Sequence, residues 1–77
     1  MQIAFYSGKD CHLCDLAQQL LETNPLFDTL EVNRFDVSSD HQLYHLYGAK
    51  IPVLKRLDNN RELGWPFESQ QLTDFLS

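Results

Sequence analysis

The apolar residues at the start of the chain change period once, and that change sets what the rest can become. In Gln2-Ile3-Ala4-Phe5-Tyr6, Ile3 and Phe5 share one side, as in a short β-strand. Ser7-Gly8-Lys9-Asp10 breaks the run. From Cys11 onward Leu13, Leu16, Ala17, Leu20 and Leu21 fall at the i, i+3, i+4, i+7 and i+8 spacing of an amphipathic helix. Asp10 is the expected N-cap, and Pro25 is expected to end the helix near Thr23-Asn24. A strand turning directly into a helix is the front half of a βαβ unit, whose crossover is right-handed and whose strands are parallel.

The remaining sequence completes that unit. Leu30 to Val37 reads as a second strand with Val32 and Phe35 inward. Ser38-Ser39-Asp40 offers caps for a short helix through Leu43, Leu46 and Tyr47, with Gly48 as its stop. Ile51 to Leu57 is a third strand with Pro52 near its start, and Asp58-Asn59-Asn60 turns it into a fourth over Arg61 to Gly64. Ser69 is the expected cap of a last helix carrying Leu72, Phe75 and Leu76 on one face. The predicted fold class is α/β, ordered β-α-β-α-β-β-α. It has a four-stranded mixed sheet, helices on both faces and a single domain over residues 1–77.

A chain of 77 residues has a thin core, burying about 60% of its unfolded surface. Its 43% apolar content is nevertheless that of a globular domain. A formal charge of −5 argues against a nucleic-acid backbone or an anionic membrane as main partner and favours plain solubility. No basic and apolar leader precedes the first strand, and no apolar run approaches the ~20 residues that span a bilayer. The expectation is a cytoplasmic protein.

The two cysteines, Cys11 and Cys14, enclose too short a loop to staple a fold. Such a pair reads as catalytic or metal-binding. At a helix start, unpaired N–H groups and the helix dipole favour a thiolate at Cys11, drawing it from ~8.5 toward about 3.5–7.5. Cys14 follows on nearly the same helix face, placed to attack a mixed disulfide on Cys11. His12, when protonated, would add positive charge beside that sulfur; otherwise it is a plain exposed residue. Leu13 packs or presents an apolar surface, and Tyr6 precedes the active-site loop as a candidate pocket wall. Lys9 and Lys50 flank the inferred site, where each could hold a carboxylate. Asp36 reads as a cap near the second helix, and Trp65 and Phe67 read as packing. The rival chemistry is zinc: Cys11, Cys14, His41 and His45 form C-x2-C-x26-H-x3-H, although the central gap is long for a zinc finger.

Three segments together resemble a known family. They are Phe5-Tyr6-Ser7 followed by Cys11-His12-Leu13-Cys14-Asp15, then Phe35-Asp36-Val37 with Leu46-Tyr47-Gly48-Ala49-Lys50-Ile51-Pro52-Val53-Leu54, and finally Leu63-Gly64-Trp65-Pro66-Phe67 with the closing helix. The chain resembles the short bacterial glutaredoxin-like proteins of the thioredoxin superfamily. The resemblance implies a minimal thioredoxin/glutaredoxin-like fold and a cis Pro52 beside the cysteine pair. It also implies that Ile51 offers its backbone groups to a substrate chain. Pro25 and Pro66 are read only as helix exit and loop rigidity. The chain departs from typical glutaredoxins in two places: Cys-His-Leu-Cys replaces C-P-Y-C, and Leu63-Gly64-Trp65-Pro66-Phe67 replaces the glycine pair and acidic residue that help bind glutathione.

The expected function is thiol–disulfide exchange on protein or glutathione-mixed disulfides. Cys11 and Cys14 are its catalytic residues, and Tyr6, Lys9, His12, Leu13, Lys50, Ile51 and Pro52 are the candidate substrate contacts. No tightly bound cofactor is expected, with glutathione as a co-substrate, and the partners are protein disulfides and a reductase or glutathione. The chain is expected to be a monomer. The alternatives are an electron carrier dedicated to one enzyme and the zinc module.

Overall fold

β1 (Gln2–Ser7) runs through the middle of a sheet and is buried on both faces. In the computed structural model, which describes residues 1–77, β2 (Glu31–Asp36) lies parallel to it, with Gln2 opposite Glu31 and Ser7 opposite Asp36. β3 (Val53–Arg56) lies antiparallel on the other side, with Ile3 opposite Arg56 and Tyr6 opposite Val53. β4 (Glu62–Gly64) completes a mixed sheet of order β2-β1-β3-β4. The helices are α1 (His12–Glu22), α2 (His41–Tyr47) and α3 (Ser69–Leu76), with 3-10 turns at Phe27–Thr29 and Val37–Ser39. The predicted fold class and element order hold. No helix is long and apolar enough to cross a membrane.

The alternation of β1 divides the core in two. Ile3 and Phe5 pack with Cys14, Ala17 and Leu21 of α1 and with Leu72, Phe75 and Leu76 of α3. Ala4 and Tyr6 face the other way, onto Val37, Tyr47 of α2 and Val53. Because both faces are covered, Ile3-Ala4-Phe5-Tyr6 is apolar without a break, as in the central strands of α/β sheets. Arg56 ties the far end together. Its Nη1 donates to the carbonyls of Phe75 and Ser77 at 2.9 and 2.8 Å, and Nε and Nη2 grip Asp58 at 3.0 and 2.7 Å.

Four local expectations change. Asp10 is not the cap of α1, because its φ of 51° lies in the left-handed region. Cys11, at φ −102° and ψ 96°, has the extended backbone that a cap requires. Phe35 does not turn inward with Val32. Three positions apart on a strand, the two residues face opposite sides, and Phe35 remains 40% exposed while stacking on Tyr6 at 5.6 Å. Leu46 is 57% exposed, since α2 turns Leu43 and Tyr47 to the sheet at i, i+4. Ser69 is the first residue of α3 rather than its cap. Glu68 holds that position, and its amide donates to Gln71 Oε1 at 2.8 Å. Asp40 caps α2 and Asp36 caps the preceding 3-10 turn, each accepting a backbone amide.

Candidate active site

The cysteine pair sits where β1 delivers the chain into α1. The positive φ of Asp10 reverses the backbone, and Cys11 then opens the helix. Its Sγ accepts from the Cys14 amide at 3.1 Å, so the sulfur itself caps one of the orphan amides of the first turn. The two sulfurs are joined in a disulfide whose Cα atoms are 5.2 Å apart. They differ in access: Cys14 is 2% exposed within the α1–α3 core, whereas Cys11 lies half-buried at its edge. Asp15 adds a carboxylate to the first turn.

The loop after α2 forms the opposite wall. The Ile51–Pro52 bond is cis, and Pro52 is buried, its carbonyl accepting from the Trp65 amide at 3.1 Å. The β1–α1 loop rests directly on this wall: a Cβ at Gly8 would lie 2.7 Å from Ile51 Cδ1. Glycine lets the loop come this close without displacing the Ile51 side chain. Of the Ile51 backbone groups offered to a substrate in the sequence reading, the N–H is already taken, donating to the Tyr47 carbonyl at 3.1 Å. The carbonyl has no donor from within the chain. A groove of 480 Å³ lies along this second wall, lined by Lys50, Ile51, Val53, Glu62 and Trp65 among others, and meets the cysteine-bearing helix at Leu13. Leu13, between the cysteines in sequence, sets the groove against the pair. At its far side Tyr47, itself 8% exposed, donates to Glu62 Oε2 at 2.7 Å. That bond, with burial second, pushes the Tyr47 phenol well above the ordinary tyrosine range.

A family model described as Glutaredoxin-like domain (DUF836) matches residues 2–77. The chain belongs to this glutaredoxin-like family. No curated protein matches it significantly. Among solved structures, the crystal structure of structural-genomics target XcR50 from X. campestris is 32% identical. The match covers 96% of this chain and 93% of that one, with a TM-score of 0.84. The solution structure of the same target gives 33% identity, 99% and 92% coverage and a TM-score of 0.83. Thioredoxin 1 from Thermosipho africanus TCF52B shares the fold alone, at 14% identity, 99% and 90% coverage and a TM-score of 0.73. A glutaredoxin-like domain on a thioredoxin fold, carrying a C-x-x-C pair, has a thiol–disulfide redox role.

The glutaredoxin-like fold gathers some of the sequence-predicted residues and separates others. Leu13, Lys50 and Ile51 line the groove, and Pro52 lies beneath its edge. His12 and Lys9 are exposed near the pair and line no part of the groove. Tyr6 is not a pocket wall. It lies on the other face of the sheet from Cys14, stacked on Tyr47 at 4.2 Å. The zinc set is not assembled: Cys11 and Cys14 are bonded to each other, and no group of three His, Cys, Asp or Glu side chains is placed to hold a metal ion. His41 and His45 stand exposed on α2, whose inner face points to the sheet side away from Cys14. The sequence does not single out Gly8, Glu62 or Val53, and it favours core or rim packing over a recognition role for Trp65. Trp65 packs on Phe67 edge-to-face at 5.1 Å and also walls the groove. The Trp65–Pro66 bond is cis too, which a reading of Pro66 as loop rigidity did not anticipate.

Proposed function

We propose that the chain is a thiol–disulfide oxidoreductase that acts by dithiol–disulfide exchange on protein disulfides or glutathione-mixed disulfides. The unequal burial of the two sulfurs carries this reading. In the dithiol form the Cys11 thiolate, half-open to solvent, attacks one sulfur of the substrate disulfide. The other substrate sulfur leaves as a thiolate, and Cys11 is joined to substrate in a mixed disulfide. Cys14, one helical turn deeper, then attacks Cys11. The Cys11–Cys14 bond forms and the second substrate thiolate departs. Two electrons pass from the protein to the substrate, and the protein is left as the disulfide. Glutathione or a flavoprotein reductase restores the dithiol.

Three features support these roles. The amide that reaches Cys11 Sγ, together with the N-terminal dipole of α1, stabilises negative charge on the attacking and leaving sulfur. The short spacing lets Cys14 reach Cys11 without a change of fold. The unused carbonyl of Ile51 can accept one N–H of an extended substrate lying in the groove.

The test is a redox titration of the pair, followed by recharging assays with glutathione and with a thioredoxin reductase. Cys11→Ser is expected to abolish turnover, and Cys14→Ser to accumulate mixed disulfides on Cys11. Full activity in Cys11→Ser would assign the nucleophile wrongly.

A further inference from the structure

The groove beside the cysteines holds two charged side chains, Lys50 and Glu62, and the structure treats them differently. Lys50 is exposed on its loop and forms no ion pair; the chain's one ion pair is Arg56–Asp58. Glu62 is held. The Tyr47 hydroxyl donates to its Oε2 at 2.7 Å, and Tyr47 is buried and stacked face to face on Tyr6 at 4.2 Å with the planes 13° apart. Tyr6 stacks in turn on Phe35 at 5.6 Å. The carboxylate therefore stands on a rigid aromatic post rooted in the second core. A pre-positioned charge discriminates between ligands better than a mobile one, because its ordering entropy is already spent. Most of the groove's other lining is apolar, with Leu13, Ile51, Val53 and Trp65 prominent.

We propose that this groove selects polypeptide disulfides whose cysteine has apolar neighbours and a lysine or arginine nearby, with Glu62 as the residue that reads the basic side chain and Tyr47 as its positioning residue. The proposal rests on the exchange reading above and names its substrate class. The formal charge of −5 acts in the same direction, since it steers basic partners toward the chain and slows acidic ones. The rise in the Tyr47 phenol pKa keeps the hydroxyl a donor throughout the range in which thiol exchange runs.

Mixed disulfides between thionitrobenzoate and short cysteine peptides test it. The leaving group is constant. The apolar flanks are fixed, and one position is Lys, Gln or Glu, scanned over the two residues on either side of the cysteine. The dithiol protein attacks the peptide sulfur and releases coloured thionitrobenzoate; Cys14 then closes the disulfide and releases the peptide thiol. At low salt, and at one scanned position or more, the Lys peptide is expected to react about fivefold faster than the Glu peptide. That factor is what a partly exposed charge pair supplies. Added salt should compress the ratio, Glu62→Gln should bring it to about one, and Tyr47→Phe should reduce it.

Equal rates on Lys and Glu peptides at every position, with the Gln peptide reacting, would overturn the proposal and leave the exchange reading standing. A ratio that survives in Glu62→Gln would also overturn it. If the dithiol protein released thionitrobenzoate from none of the peptides, the exchange reading would fall and the proposal with it.

Discussion

The sulfur of Cys11 caps the helix that carries Cys14, accepting the Cys14 amide at 3.1 Å. One atom is thus both the exposed end of the redox pair and a structural cap, and substitution can separate the two duties. In the reduced state Cys11→Ser keeps an acceptor at the cap, whereas Cys11→Ala removes it. Both variants are expected to be inactive in exchange. Cys11→Ala should be less stable than Cys11→Ser by about 1 kcal/mol. Urea unfolding with excess reductant measures the difference, and equal stabilities would mean that the cap contributes nothing.

Arg56 is expected to be the most sensitive polar position outside the redox pair. It is 8% exposed and satisfies the carbonyls of Phe75 and Ser77 while forking onto Asp58. Arg56→Met removes donors from carbonyls at the end of α3. It should lower stability by about 1–3 kcal/mol, the scale for leaving one buried acceptor, the Phe75 carbonyl, unpaired. Arg56→Lys should recover only part of this, because an ammonium cannot make the planar fork. Asp58→Asn, on the exposed side of the pair, should cost less than either change at Arg56. Denaturant midpoints for the three variants check the order.

The carboxylates predict an acid limb in stability. Hydrogen bonds from Arg56 hold Asp58 below the usual carboxylate range, and those from the Ser38 hydroxyl and amide do the same for Asp36. A depressed folded-state value means that the unfolded chain takes up these protons first as pH falls. Their contribution is therefore present above the unfolded value of about 3.9 and is lost as pH drops through the lower folded values. Tyr47 acts at the other end. Its folded value is raised, so its contribution is present below the unfolded value of about 10 and is lost as pH rises past it. Melting temperatures across pH should fall at both ends. Asp58→Asn should blunt the acid limb and Tyr47→Phe the alkaline one.

Periodicity made most of the fold legible, because each buried face repeats at its element's own spacing. Ile3 and Phe5, Ala17, Leu20 and Leu21 of α1, and Leu72 with Phe75 and Leu76 lie where their spacing puts them, whereas Leu13, at the start of the same stripe, stays 45% exposed and Leu16 lies outside the core. Caps were harder, since they depend on a backbone angle as well as a side chain. Asp10 has the better capping chemistry, but Cys11 has the cap's φ and ψ. Leu46 and Phe35 depart from their expected inward faces because on α2 and on the edge strand β2 the choice of face is made by the rest of the molecule. At the site, chemistry carried in short motifs was readable, as in Cys11, Cys14 and the stretch Lys50-Ile51-Pro52. Glu62, Trp65 and Gly8 have no such local signature. Glu62 and Trp65 matter because a segment remote in sequence folds onto the same groove, and Gly8 because its loop meets Ile51; the same remoteness hid the separation of His41 and His45 from the cysteines.

The contact between Gly8 and Ile51 allows the sharpest test of how the two walls of the site are joined. An added methyl at Gly8 would sit 2.7 Å from Ile51 Cδ1, closer than two carbons can approach. Because that atom is the end of a flexible side chain, Ile51 can swing aside. Gly8→Ala is thus expected near the low end of overpacking costs, about 1 kcal/mol. The larger effect should be on exchange, because the displaced side chain lines the groove. Ile51→Val removes the clashing carbon and should cost about 0.5–1.5 kcal/mol alone. Combined with Gly8→Ala it should cost less than the sum of the two, with a coupling of roughly 0.5 kcal/mol or more. Unfolding free energies for the four proteins of this double-mutant cycle measure the coupling, and peptide–thionitrobenzoate rates show whether the rescue extends to exchange. Strict additivity would mean that the β1–α1 loop and the cis-proline loop do not touch in solution as they do here.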